Sequence, residues 1–115
     1  MPNETLATLA SELGSESVVE LIEAYLADTP ARLDEIAQMM ASGDQTALRR
    51  AAHSLKGSSS IFGVHAIEKA ALALEIAAAN GDKSNQPALF ARLTELYPAV
   101  QAELQQAVAE FHAAA

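Results

Sequence analysis

The chain has 115 residues, no cysteine and a net charge of −8, from 15 acidic and 7 basic side chains, so we expect one domain spanning residues 1–115. The acidic balance argues against nonspecific binding to nucleic acid or to an anionic membrane, and the lack of cysteine excludes disulfides, thiolate nucleophiles and cysteine zinc sites. Because neither a leader-peptide pattern nor a long apolar stretch occurs, we expect a soluble cytoplasmic protein.

Helical periodicity runs along the chain, and no alternating strand pattern interrupts it. A short opening segment, about Glu4 to Leu13, ends at Gly14, where glycine can adopt a positive φ. Four longer periodic segments follow, separated by only a few residues, so consecutive helices should pack antiparallel. We therefore predict an all-α fold, an antiparallel four-helix bundle with a short extra N-terminal helix.

The second segment begins with Ser17-x-x-Glu20, a pattern typical of a capping box. Pro30 lies inside this segment, but the apolar phase is the same on both sides of it. We therefore predict one long kinked helix, with a new helix capped by Thr29 as the alternative. The residues of its apolar stripe are Val18, Ile22, Tyr25, Leu33, Ile36 and Met40.

The third segment is capped by Asp44 and ends at Gly63, and the fourth stops at the Asn80-Gly81-Asp82 turn. The fifth begins near Pro87 and continues through Pro98, where we expect a second kink. The residues expected to face the core in these three segments are Leu48, Ala51, Ala52, Leu55, Ser59, Phe62, Ile67, Ala70, Ala71, Leu74, Ala78, Leu89, Leu93, Leu96, Val100, Leu104, Ala107 and Phe111.

The third segment places a histidine on its solvent side. With about 100° per residue, His53 lies about 160° from the core residue Leu55. Three of the chain's seven basic residues lie beside it, and no acidic residue occurs between Asp44 and Glu68. The residues that share this side are Arg49, Arg50, Lys56, Gly57 and Ser60.

Gly57 is unusual inside a helix, because glycine there costs roughly 1 kcal/mol relative to alanine. A side chain at position 57 would lie over His53, so glycine leaves the imidazole open to a large partner. Lys56 can place its ammonium near an anion carried on the ring. An exposed imidazole with a pKa of about 6.5 is a neutral nucleophile near pH 7, which suits phosphoryl transfer. The alternative is that Gly57 is an ordinary helix C-cap.

These residues resemble the histidine-containing phosphotransfer (HPt) domains of bacterial two-component relays, from about Glu16 to Phe111. The matching motif is His53-Ser54-Leu55-Lys56-Gly57 followed by Ser58, with Phe62-Gly63 closing the helix. The resemblance implies phosphorylation on Nε2 of His53 and docking of a receiver domain around the second and third helices. It also implies that Lys56 stabilises the phosphoryl charge and that Gly57 grants access.

The chain is also similar to the phosphotransfer domain of chemotaxis histidine kinases. There a glutamate 22 residues beyond the histidine pairs with the imidazole, and Glu75 occupies that position here. Many relay members carry glutamine at the position of Glu75. Glu75 therefore either orients Nδ1 of the imidazole or is only a surface residue of its helix. Arg49, Arg50 and Ser60 are candidate partner contacts, with a solvated helix face as the alternative.

We accordingly expect a phosphorelay intermediate that accepts a phosphoryl group on His53 from a phospho-aspartyl receiver or a histidine kinase and passes it to a response-regulator receiver. No nucleotide-binding glycine loop occurs, so no autonomous kinase activity is expected. We expect no cofactor, with magnesium held by the receiver, and a monomer. His65 and His112 are expected to be exposed and idle.

Three alternatives remain at this point. One is a binding module that sequesters receivers without chemistry. Another is an HPt domain excised from a chemotaxis-type or hybrid kinase, although Met1 and a complete bundle favour a stand-alone protein. The third is a metal-using bundle enzyme, for which the chain offers only His65-x-x-Glu68, the reverse of the usual Glu-x-x-His order.

Overall fold

The computed structural model describes residues 3–114, and this part of the chain contains five α-helices and no strand. The predicted all-α fold is therefore confirmed. None of the helices in residues 3–114 combines the length and the apolar character needed to cross a bilayer. The helices are α1 Glu4–Leu13, α2 Ser15–Ser42, α3 Gln45–Ile61, α4 His65–Ala79 and α5 Gln86–Ala114.

A single glycine separates α1 from α2. Gly14 has a φ of +89°, its N–H donates to the Ala10 carbonyl at 2.8 Å, and its own carbonyl accepts from the Val18 N–H at 3.2 Å. One residue thus ends the first helix and begins the second. The predicted capping box is wrong, because α2 begins at Ser15 and Ser17 already lies in its first turn.

Helix α2 continues through Pro30, so the prediction of one long helix is confirmed. Proline has no N–H to donate to the Leu26 carbonyl. The Tyr97 hydroxyl of α5 donates to that carbonyl instead, over 3.4 Å. The alternative cap at Thr29 is wrong, because the buried Thr29 hydroxyl donates back to the Tyr25 carbonyl at 2.6 Å.

Side chains from all five helices meet in one continuous core. Helix α3 packs on α2 and α4, α5 packs on the same two helices, and α1 packs on α2. The molecule is a rod of 47 × 21 × 17 Å. Of the expected core residues, Met40, Leu89 and Leu96 are only partly buried, and the others are buried as predicted.

Helix α3 carries the candidate site and is fixed at both ends. Its first turn is capped by Asp44, whose carboxylate accepts from the Ala47 N–H at 3.0 Å. The helix continues past Gly57 to Ile61, so the alternative that Gly57 is a C-cap is wrong. In the last turn, Ser59 is fully buried and its hydroxyl is hydrogen-bonded to the Tyr25 hydroxyl of α2 at 2.8 Å, which ties the end of α3 to α2.

Candidate functional site

The imidazole of His53 stands on the outer side of α3, near the middle of the helix. Its neighbours Ala52 and Leu55 are fully buried, so the core fixes the rotation of the helix about its axis. The His53 side chain is 63% exposed. The predicted exposure of His53 is therefore confirmed.

Packing of α4 against α3 brings Glu75 to the histidine. Glu75 Oε2 lies 2.9 Å from His53 Nδ1. An ionised carboxylate can only accept a hydrogen bond, so the ring carries its proton on Nδ1. In a neutral imidazole Nε2 then holds the free electron pair, and it has no hydrogen-bond partner among residues 3–114.

The Glu75 carboxylate also forms an ion pair with Lys56. Lys56 Nζ lies 3.0 Å from Glu75 Oε1, and the Lys56 side chain is 26% exposed. Partial burial by itself raises the pKa of Glu75, but the ion pair with Lys56 and the hydrogen bond with His53 together outweigh burial and hold that pKa below its ordinary value. Glu75 is therefore an anion at neutral pH, and its two oxygens bridge Lys56 and His53.

Gly57 lies one helical turn after His53, with open space on its outer side. A Cβ added at this position would meet no neighbouring atom within 4 Å. Packing therefore does not require glycine here, and an alanine would favour the helix. This open space is consistent with the prediction that the missing side chain leaves the ring of His53 accessible.

The other basic residues of α3 lie on the same outer surface. Arg49 and Arg50 are exposed, and neither forms an ion pair with another described residue. Ser60 is also exposed, but its hydroxyl donates to the Gly57 carbonyl at 2.8 Å. The structure thus brings Lys56 into direct contact with the His53–Glu75 pair and leaves Arg49, Arg50 and Ser60 around it.

The sequence did not identify a groove between α2 and α3, lined mainly by apolar surface with Asp28 and Arg32 also in its lining. The groove has a volume of about 190 Å³ and includes Tyr25, Ser58 and Phe62 in its lining. Leu21 and Ile61 flank it with 41% and 47% of their surface exposed. Both are large apolar residues that lie off the buried stripe of their helix, which is the sequence signal that could have revealed them.

The two remaining histidines lie away from this site. His65 begins α4 and its Nδ1 contacts Glu68 Oε1 at 3.1 Å, so it is exposed as predicted but not without a partner. His112 is exposed in the last turn of α5. Within residues 3–114, no group of three histidine or acidic side chains is arranged to hold a metal ion.

Comparison with known proteins agrees with the geometry. A family model described as Hpt domain matches residues 20–111. The crystal structure of histidine-containing phosphotransfer protein B (HptB) from Pseudomonas aeruginosa PAO1 is similar with a TM-score of 0.88 and 26% sequence identity, covering 96% of this chain and 95% of that chain. A search of the curated proteins gave no match. The chain belongs to the Hpt domain family, and it is a histidine phosphotransfer intermediate of phosphorelays.

Proposed function

We propose that His53 is the residue that carries the phosphoryl group. It accepts the group from a phospho-aspartyl receiver domain or a histidine kinase, and it passes the group to the aspartate of a response-regulator receiver. One observation carries this proposal: an exposed imidazole is paired through Nδ1 with a carboxylate, beside a position that has no side chain.

The hydrogen bond to Glu75 determines which nitrogen of the His53 ring reacts. With the proton on Nδ1, the free electron pair of Nε2 attacks phosphorus, an N–P bond forms, and the P–O bond to aspartate breaks with its electrons on the departing carboxylate. No proton has to leave the ring during this step. In the reverse step the N–P bond breaks and its electrons return to Nε2. Lys56 supplies positive charge for the phosphoryl oxygens.

The receiver is proposed to dock over α2 and α3. Gly57 and the flanking Leu21 and Ile61 offer an open, partly apolar surface beside His53. The exposed Arg49 and Arg50 place positive charge next to it, which suits a receiver whose active site is acidic. Ser60 is proposed to contact the partner at the edge of this surface. The magnesium ion of the reaction is assigned to the receiver, and we propose no cofactor for this chain.

We further propose that α2 to α5 form an antiparallel four-helix bundle with α1 as the extra helix, and that residues 1–115 form one monomeric domain. Short connections, helix contacts that join α2 to α3, α3 to α4, α4 to α5 and α5 to α2, and one continuous core support this arrangement. A cytoplasmic location is part of the proposal, because the kinases and receivers of two-component relays act there.

A phosphotransfer assay tests the role of His53. Wild type, His53→Gln and His65→Gln are incubated with labelled histidine kinases and receivers of the organism that encodes the chain. His65 is a matched control, because it is also exposed and also paired with a glutamate through Nδ1. We expect an acid-labile, base-stable label on wild type and His65→Gln and none on His53→Gln. A label that survives in a folded His53→Gln protein would overturn the assignment.

A further inference from the structure

The Glu75 carboxylate serves two partners at once. Oε2 faces Nδ1 of His53 at 2.9 Å, and Oε1 faces Nζ of Lys56 at 3.0 Å. The Glu75 side chain is only 16% exposed, so water competes little for its oxygens. While the ring is neutral, Lys56 and Glu75 are the opposite charges that neutralise each other.

Phosphorylation changes which charges need a partner. Once Nε2 carries phosphorus and Nδ1 keeps its proton, the ring becomes a cation that faces the Glu75 carboxylate. The phosphoryl oxygens bring negative charge to the outer side of the ring. Lys56, three residues from His53 on the same helical surface, has a flexible four-carbon stem that allows its ammonium to turn toward them.

We infer that Lys56 changes partner during the reaction, leaving the Glu75 carboxylate for the phosphoryl oxygens while Glu75 stays on the Nδ1–H of the cationic ring. This inference rests on the proposed role of His53. Every charge then has an opposite partner before and after transfer. Because Glu75 and the phosphoryl oxygens attract the same ammonium, Glu75 limits how strongly Lys56 stabilises phosphohistidine and so favours onward transfer.

A double-mutant cycle on the transfer equilibrium tests this exchange. The ratio of phosphohistidine to phospho-aspartate is measured with one receiver for wild type, Lys56→Gln, Glu75→Gln and the double variant. Lys56→Gln should lower the phosphohistidine fraction about threefold when Glu75 is present and about tenfold in the Glu75→Gln protein. If Lys56→Gln lowers the phosphohistidine fraction by the same factor in the presence of Glu75 and in the Glu75→Gln protein, the inference is overturned. The direct effect of Glu75 on the ring does not disturb this comparison, because it cancels in the cycle.

Nitrogen NMR of the lysine side chains gives a second readout. The proteins are phosphorylated with phosphoramidate, so no partner protein is needed. In the unphosphorylated state, Glu75→Gln should move the Nζ resonance of Lys56. After phosphorylation, that resonance should coincide in wild type and Glu75→Gln, because Lys56 contacts the phosphoryl group in both.

Two further outcomes separate the inference from the proposed function. Lys56 resonances that still differ after phosphorylation would show that Lys56 remains on Glu75, which overturns the exchange and leaves the role of His53 intact. Failure of His53 to become labelled in folded wild type would instead contradict the proposed function. Lys69, an exposed lysine of α4, is the control, and its resonance should stay in place in all four samples.

Discussion

Nδ1 of His53 and Oε2 of Glu75 lie 2.9 Å apart although 22 positions separate the two residues. The pair of His65 and Glu68 has a similar geometry but is formed by neighbours on one helix. The contact of His53 with Glu75 exists only when α3 and α4 pack. The chemistry of the ring therefore depends on the fold, because the carboxylate that places the proton on Nδ1 comes from another helix.

The first prediction concerns the pH dependence of stability. Burial alone raises the pKa of Glu75, but Lys56 and His53 together hold it below its ordinary value of 4.5. The unfolded chain thus takes up the proton first as the pH falls. The stabilisation by Glu75 is complete above its ordinary pKa and is lost as the pH falls through the lower pKa of the folded state. The free energy of unfolding of wild type should exceed that of Glu75→Gln near neutral pH, and this gap should narrow below about pH 5.

Urea titrations of both proteins between neutral and acidic pH measure this gap. Lys56→Gln is the control, because removal of the cation should shrink the difference that Glu75→Gln makes at neutral pH. A gap that keeps the same size down to acidic pH would mean that the ionised carboxylate adds nothing to stability.

Two substitutions of Gly57 test its effect on stability and its effect on transfer separately. Gly57→Ala should raise the free energy of unfolding by about 0.5–1 kcal/mol, because alanine favours the helix. Its Cβ meets no neighbouring atom within 4 Å. Gly57→Arg should keep the helix content, measured by circular dichroism, but slow transfer from a receiver roughly ten- to a hundredfold, because the long side chain displaces the partner. Normal transfer through folded Gly57→Arg would contradict the access argument.

The sequence predicted the helices well, because most breaks between them carry chemistry that acts locally. Asp44 caps α3 through its own carboxylate, and the Asn80-Gly81-Asp82 turn follows the end of α4. The start of α2 was misplaced because Gly14 ends one helix and begins the next, which removes any need for a separate cap at Ser17. Local capping patterns cannot show when one residue serves two helices.

Periodicity predicted the part of the candidate site that lies on one helix, and only the family resemblance pointed to Glu75 of α4, which the structure places against Nδ1 of His53. The exposure of His53 follows from the rotation of α3, which the core stripe fixes. The contact of Glu75 with Lys56 depends on the spacing and register with which α3 and α4 pack. Helical periodicity in the sequence does not determine either quantity. The groove flanked by Leu21 and Ile61 was missed for the same reason, since its two walls belong to different helices.

The hydrogen bond between Tyr25 and Ser59 should contribute measurably to stability. The two hydroxyl oxygens lie 2.8 Å apart, and Ser59 is fully buried. Burial raises the pKa of Tyr25, so its hydroxyl stays protonated at neutral pH. Tyr25→Phe leaves the Ser59 hydroxyl without its partner and should lower the free energy of unfolding by about 1–2 kcal/mol.

Ser59→Ala should have a cost of similar size, because it leaves the Tyr25 hydroxyl unpaired in the core. The double variant should lose less than the sum of the two single losses, since neither hydroxyl then remains unsatisfied. Urea unfolding of the four proteins measures the cycle. Strictly additive losses would mean that the two hydroxyls do not stabilise each other.

Gly63 and Gly81 test two different reasons for glycine in a turn: a backbone with positive φ, and a lack of space for a side chain. Both have a positive φ, +69° and +67°, which alanine adopts at a cost of about 1–2 kcal/mol. At Gly81 a Cβ would meet open space, whereas at Gly63 it would lie 2.7 Å from both Cβ and Oγ1 of Thr5 in α1. Gly63→Ala should therefore lower the free energy of unfolding by at least about 1 kcal/mol more than Gly81→Ala, since α1 must shift in its packing. Urea unfolding of both variants measures the difference. Equal losses would mean that α1 moves aside freely and that only the backbone conformation requires glycine at position 63.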